Sequence, residues 1–222
     1  MPPLNLGDEM PNVAIVTNEG SMKMHEFMKD SWIILFSHPR DYTPVCTTEL
    51  GRAANLAPEF KKRGVKMIAL SCDDADSHNG WIKDVQSHAN HVGDFPYPII
   101  ADDSREIAKS LGMIDPDESA GAGMPLTCRA VMIFGPDKRL KLSMLYPATT
   151  GRNFTEILRV VDSLQLTATK KVATPVDWKV GDKCMVVPSV KKEEEAGLFP
   201  KGVETLSVPS GKGYLRMTPM PE

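Results

Sequence analysis

The apolar run Trp32-Ile33-Ile34-Leu35-Phe36, broken almost at once by His38-Pro39, restricts this chain more than any other stretch. It is too short for a helix and shows no polar alternation, so it reads as a strand buried on both faces. Such a strand needs a layer on each side. Helix-start chemistry follows it: Thr43 is a good N-cap, Pro44 takes the first helical position, where its missing N–H is no loss, and Cys46 falls third. A thiol in a helix first turn meets free backbone N–H groups and the positive end of the helix dipole. Both favour the thiolate, so a pKa below that of ordinary cysteine is expected. The plain alternative, a small buried core cysteine, is opposed by the cap, the proline and the neighbouring Arg40 and His38.

The strand-then-helix pattern repeats. Residues 65–71 (VKMIALS) and 97–101 read as two more strands of the series. The helix opened by Thr43 should run to about Lys62, bent or divided at Pro58, with Gly64 ending it. Further helices are expected at 81–89, after a polar loop at 73–80, and at 104–111, closed by Gly112. Ahead of them, 13–16 and 22–24 read as strands around the turn Asn18-Glu19-Gly20, and 25–28 as one helical turn. Strand and helix alternating in this way argue for an α/β fold with a mainly parallel sheet covered on both faces. Residues 129–134 and 140–145 flank the turn Gly135-Pro136-Asp137-Lys138, which predicts a hairpin. Asn153 and Glu156 form a capping box for a last long helix.

From Thr167 the character changes, and frequent prolines and glycines leave room only for short elements. A helical turn at 191–196 and strands near 203–208 and 214–217 are expected. The division is therefore 1–166 and 167–222. A piece as small as the second rarely holds a core alone, so it should pack on the first or on a partner subunit.

With net charge −3 and acids and bases interspersed over 222 residues, nothing asks for nucleic acid or an anionic membrane as a partner. No apolar run approaches the ~18 residues of a membrane span, and the N-terminus lacks a leader pattern, so a cytoplasmic protein without membrane insertion is expected. Cys46, Cys72, Cys128 and Cys184 are widely spaced and form no C-x-x-C or metal-ligand cluster. Neither a disulfide scaffold nor a metal site is expected.

Pro39, Thr43 and Cys46 spell P-x-x-x-T-x-x-C, and together with LTCRAVMIFGPDKRLKLSMLYPATTGRNF at 126–154 they make the chain resemble the peroxiredoxins, the 1-Cys type in particular. The resemblance implies a thioredoxin-like central sheet with flanking helices plus a small, mainly β C-terminal domain that helps to form a homodimer. It implies peroxide reduction with Cys46 as nucleophile, the Thr43 hydroxyl as a donor and Pro39 keeping bulk water off the sulfur. The site needs a permanent cation as well, and the resemblance supplies Arg129, which spacing alone reads as a surface arginine at a strand edge. His38 is either second-layer support or an ordinary loop residue; Glu49, one turn beyond the cysteine, either orients an arginine or is a solvated helix-face acid.

No second cysteine stands near Cys46, since Thr43 occupies the place of the first sulfur of a C-x-x-C. Cys72 and Cys128 sit at strand ends and read as structural. Cys184 is the remaining candidate for a resolving thiol, but Lys-Cys-Met-Val-Val-Pro lacks the Val-Cys-Pro of two-cysteine relatives. The reading is therefore a 1-Cys enzyme without bound cofactor, reducing hydrogen peroxide and organic hydroperoxides and recycled by an outside thiol such as glutathione, with or without a glutathione transferase. One rival is a redox relay that passes oxidation from Cys46 to a partner protein. The other is a phospholipase. Similar proteins carry a G-x-S-x-G motif whose triad positions correspond to Ser31, His25 and Asp137 here, but both glycines are replaced in Lys29-Asp30-Ser31-Trp32-Ile33, which opposes that activity.

Overall fold

The computed structural model describes residues 3–120 and 123–222. Its first elements are β1 (Ala14–Thr17), β2 (Gly20–Lys23) and α1 (Met24–Met28), followed by β3 (Trp32–Ser37), α2 (Pro44–Lys62), β4 (Val65–Ser71), α3 (Ala75–Ala89), β5 (Ile99–Ala101) and α4 (Glu106–Ser110). A hairpin of β6 (Ile114–Ala120) and β7 (Met124–Thr127) comes next, then β8 (Arg129–Phe134), β9 (Leu140–Tyr146) and α5 (Phe154–Thr169). Short pieces end the chain: β10 (Val172–Ala173), β11 (Cys184–Val186), a 3-10 turn at Lys192–Glu194, α6 (Glu195–Leu198), β12 (Glu204–Thr205) and β13 (Arg216–Thr218).

Seven strands form one sheet in the order β2-β1-β5-β4-β3-β8-β9. The expectation of a mainly parallel sheet is corrected here: β3, β4 and β5 run parallel, while the other neighbours pair antiparallel. Only these three strands are joined through crossover helices, α2 and α3; tight turns serve β1–β2 and β8–β9 and enforce reversal. Side chains of β3 alternate between two apolar layers. Ile33 and Leu35 join Ile68, Leu70, Met132 and Phe134 on one face. On the other, Phe36 packs edge-on against Tyr97 and Phe154, with centroids 5.2 and 6.1 Å away.

Two helix details differ from expectation, and a third bears on packing. Pro58 lies inside a continuous α2. The third helix begins at Ala75, not Trp81, because Asp74 supplies the cap by accepting from the Ser77 N–H at 2.8 Å. At Gly51 of α2 an added Cβ would stand 2.8 Å from Ala89 Cβ, so glycine permits the close approach of α2 to α3. The hairpin of β6 and β7 has no counterpart in the sequence reading, since Asp115, Pro116, Asp117 and Glu118 disguise it as a loop.

Two compact units comprise Met1–Phe154 and Thr155–Glu222, which places nearly all of α5 with the second rather than the first. This second unit carries an antiparallel sheet in the order β10-β11-β13-β12. It has an apolar cluster of its own, in which Val172, Trp178, Cys184, Val186, Val190 and Phe199 are buried. The shortness of its elements therefore did not leave it without a core.

Candidate active site

β8 runs antiparallel to β3, so its first residue, Arg129, lies at the sheet end where β3 stops and the chain turns into α2. That topology brings a cation and a thiol together across 83 residues of sequence: Arg129 Nη1 donates to Cys46 Sγ at 3.3 Å. Cys46, the third residue of α2, is fully buried, and Arg129 nearly so. The guanidinium is held from behind, with Nε and Nη2 both donating to Ala148 O at 2.9 and 2.6 Å.

The structure decides the two readings left open for Glu49. Its carboxylate is buried, and Arg129 Nη1 donates to Oε2 at 2.9 Å. Arg152, which the sequence reading missed, grips the same carboxylate: its backbone N and Nε donate to Oε1 at 2.6 and 3.0 Å, and Nη2 donates to Oε2 at 2.7 Å. Burial opposes ionisation of Glu49, but the hydrogen bonds and charges of Arg152, aided by the Arg129 charge, outweigh it and lower its pKa. Two guanidiniums against one carboxylate leave an excess positive charge beside the sulfur. Nothing in the spacing of Arg152 announces this role; it lies in the loop between β9 and α5.

Thr43 occupies the N-cap position with extended backbone, but its hydroxyl makes no capping bond to the first turn. It donates to Arg40 O at 2.8 Å instead. The expected free donor is therefore committed locally. Pro39 is buried, while Arg40 is exposed. His38 is no ordinary loop residue: it is fully buried, with Nε2 2.7 Å from Asp41 Oδ1 and its ring centroid 5.1 Å from that of Trp81. Tyr42 completes the loop in a left-handed conformation, φ +53°, and its hydroxyl lies where a side chain at Gly80 of α3 would stand.

His38, Asp41 and Asp73 place possible ligand atoms within 4.8 Å of one another. Those atoms already have partners: Asp41 accepts from both His38 and His78, and Asp73 Oδ2 accepts from Asp41 N and Ser71 Oγ. The donor set fits a hydrogen-bonded clamp rather than a cation site.

The other thiols are placed away from such chemistry. Burial pushes Cys72 and Cys128 each up to about 11, and it also raises Cys184. All four cysteines are free. At the possible lipase positions, His25 Nε2 lies 2.6 Å from Met10 O and Asp137 Oδ2 accepts from Lys141 Nζ at 2.5 Å. Among the described residues no hydrogen bond joins Ser31, His25 and Asp137. Lys29 does adopt φ +50°, so the turn before Ser31 forms without the glycine that would favour it.

Residues 6–143 match the AhpC/TSA family, and residues 163–198 match the C-terminal domain of 1-Cys peroxiredoxin. Peroxiredoxin-6 of Gallus gallus is 66% identical over 100% of this chain and 100% of its own. The crystal structure of a cysteine-to-serine mutant of the Peroxiredoxin 6 of Arenicola marina is 62% identical, covers 99% of each chain and superposes with a TM-score of 0.97. A yeast mitochondrial 1-Cys peroxiredoxin, which resolves its thiol via glutathione/thioredoxin systems, is 39% identical with a TM-score of 0.89, covering 97% of this chain and 99% of that one. The fold is accordingly the thioredoxin-like one of these proteins, with its added β-rich C-terminal part. Similarity of this extent, over both parts of the sequence, means that the chain belongs to the peroxiredoxins, a family of thiol-dependent peroxidases.

Proposed function

We propose that the chain reduces hydrogen peroxide and organic hydroperoxides, lipid hydroperoxides included, by a 1-Cys cycle at Cys46. The observation that carries this reading is the guanidinium of Arg129 at 3.3 Å from a fully buried sulfur in a helix first turn. The Cys46 thiolate attacks the terminal peroxide oxygen, the O–O bond breaks, and that oxygen stays on sulfur with its hydrogen as a sulfenic acid. The other oxygen leaves as hydroxide or alkoxide and takes up a proton. Arg129 serves both ends of the step, since its charge favours the thiolate beforehand and the departing oxyanion afterwards. Glu49 and Arg152 hold that guanidinium in place, Pro39 keeps water from the sulfur, and the Thr43 lone pairs accept from the peroxide O–H.

The raised thiols of Cys72, Cys128 and Cys184 support return of the sulfenic acid to thiol by an outside thiol, glutathione being the candidate, alone or delivered by a glutathione transferase. Four free cysteines fit a reducing cytoplasm, and no helix among the described residues is long and apolar enough to cross a membrane. Formation of a homodimer is supported by β9, an edge strand on which Leu145 is 58% exposed.

The test is peroxide consumption with glutathione, with glutathione plus a glutathione transferase, and with thioredoxin. Turnover with at least one glutathione arm is expected. Turnover with thioredoxin alone would overturn the glutathione assignment, and a failure of Cys46 to oxidise at all would overturn the peroxidase reading.

A further inference from the structure

Lys66 stands in an apolar groove of the first compact unit without a carboxylate to pair with. The groove, about 600 Å³ in volume, is built by Phe27 of α1, by Ala54, Ala57 and Pro58 of α2, and by Val65 and Met67 of β4. Lys66, the second residue of β4, is half-buried among them. Its Nζ donates to Phe27 O at 2.7 Å and lies 5.5 Å from the centroid of the Phe27 ring. Lysines withdrawn from water are normally ion-paired, yet among the described residues Lys66 makes no ion pair. His91, which also lines the groove, is committed elsewhere: Nδ1 lies 3.1 Å from Asn55 Oδ1 and Nε2 3.2 Å from Asp94 O.

An ammonium in this place is short of both water and a counter-ion. Burial, and after it the charge of Lys29, pull the amine below its ordinary pKa. Desolvation and a neighbouring cation are the two circumstances that make a lysine a nucleophile toward carbonyl compounds. The bond to Phe27 O holds the nitrogen by one N–H and leaves the lone pair of the neutral amine free. An iminium formed at Nζ keeps an N–H for the same carbonyl, and its charge stays beside the Phe27 ring.

We propose that Lys66 is a capture site for aliphatic aldehydes, forming an imine through Nζ while the alkyl chain lies in the groove of Phe27, Ala57, Pro58 and Met67. The Nζ lone pair attacks the carbonyl carbon, the carbinolamine loses one water, and a C=N bond replaces the C=O. No electrons are exchanged, so the step needs no redox partner and no part of the Cys46 site. An apolar carboxylate would fit the same groove, but it would need the ammonium, the form that burial and Lys29 disfavour. The uncharged carbonyl carbon of an aldehyde takes the amine as it stands. Aldehydes of this kind are released when lipid hydroperoxides fragment, so capture at Lys66 would accompany peroxide reduction without depending on it.

The experiment treats full-length protein at neutral pH with octanal and sodium cyanoborohydride, which reduces the imine to a stable secondary amine, and reads each lysine by peptide-mapping mass spectrometry. Lys66 is expected to label about fivefold or more faster than Lys61, which lines the same groove but is exposed on α2. Propanal, too short to bury much of a chain, should lose most of that preference. Ala57→Phe, which fills the groove, should slow octanal labelling of Lys66 about fivefold or more and leave propanal labelling within about twofold. Octanal label distributed over the lysines by exposure alone would overturn the proposal. A preference for Lys66 that is the same with octanal and propanal would overturn it too. Both of these readings use the wild type, so a misfolded Ala57→Phe could not shield the proposal.

Discussion

Arg129 Nη1 donates to two acceptors at once, Cys46 Sγ at 3.3 Å and Glu49 Oε2 at 2.9 Å. The nucleophile and the buried acid therefore share one cation. With Arg152 also paired to Glu49, two guanidiniums face one carboxylate beside the sulfur. Removing Arg129 should act on the sulfur directly. Arg129→Ala is expected to slow peroxide attack about 10²- to 10³-fold, the range for loss of a preorganised donor, and to slow alkylation of Cys46 at neutral pH. Arg129→Lys should recover only part, because a point charge cannot reach Ala148 O, Glu49 and the sulfur together. Alkylation unchanged in Arg129→Ala would remove Arg129 from the reaction.

Glu49→Gln leaves two buried guanidiniums facing a neutral amide and should destabilise the fold by about 3–5 kcal/mol near neutral pH. The pH dependence has a definite sign. The folded pKa of Glu49 lies below its ordinary value of 4.5, so its contribution is present above the unfolded pKa and is lost as pH falls through the folded one. The gap between wild type and Glu49→Gln in urea unfolding should accordingly narrow below about pH 4.5. A gap that stays constant to pH 2 would show that Glu49 acts by packing alone.

Cys46→Ser should abolish peroxidase turnover, whereas Cys72→Ser, Cys128→Ser and Cys184→Ser should each keep most of it. Burial disfavours the thiolate of these last three. A Cys184→Ser enzyme that still oxidises once but no longer turns over with thiol would make Cys184 the resolving residue and end the 1-Cys reading.

Without a partner sulfur the sulfenic acid persists, so excess peroxide should drive Cys46 to gain two or three oxygens. Intact-mass spectrometry reads this directly. A mass matching an intramolecular disulfide would contradict it.

Phospholipid hydrolysis should be absent or much weaker than in relatives with a complete G-x-S-x-G. The turn at Lys29 forms at φ +50°, but Asp137 is tied to Lys141, and His25 to the Met10 carbonyl. Substantial hydrolysis that vanishes in Ser31→Ala and survives in Cys46→Ser would defeat this expectation.

Signals that act within a few residues were legible in the sequence by itself. The apolar run of β3, the Thr43-Pro44 start of α2 and the third-position cysteine follow from backbone chemistry that neighbouring side chains decide. The hairpin of β8 and β9 follows in the same way from its turn residues. What spacing could not say is which distant groups would meet. Arg129 reads as a surface arginine until β8 pairs antiparallel with β3 and carries it to the sulfur, and Arg152 has no local signal at all. Glu49 and His38 had two readings each because a helix-face acid and a loop histidine look alike until burial is known. Tertiary structure decided them for one physical reason: a buried charge or imidazole nitrogen must find partners, and those partners, Arg152 for Glu49 and Asp41 with His78 for His38, come from chain segments that only the folded sheet brings together.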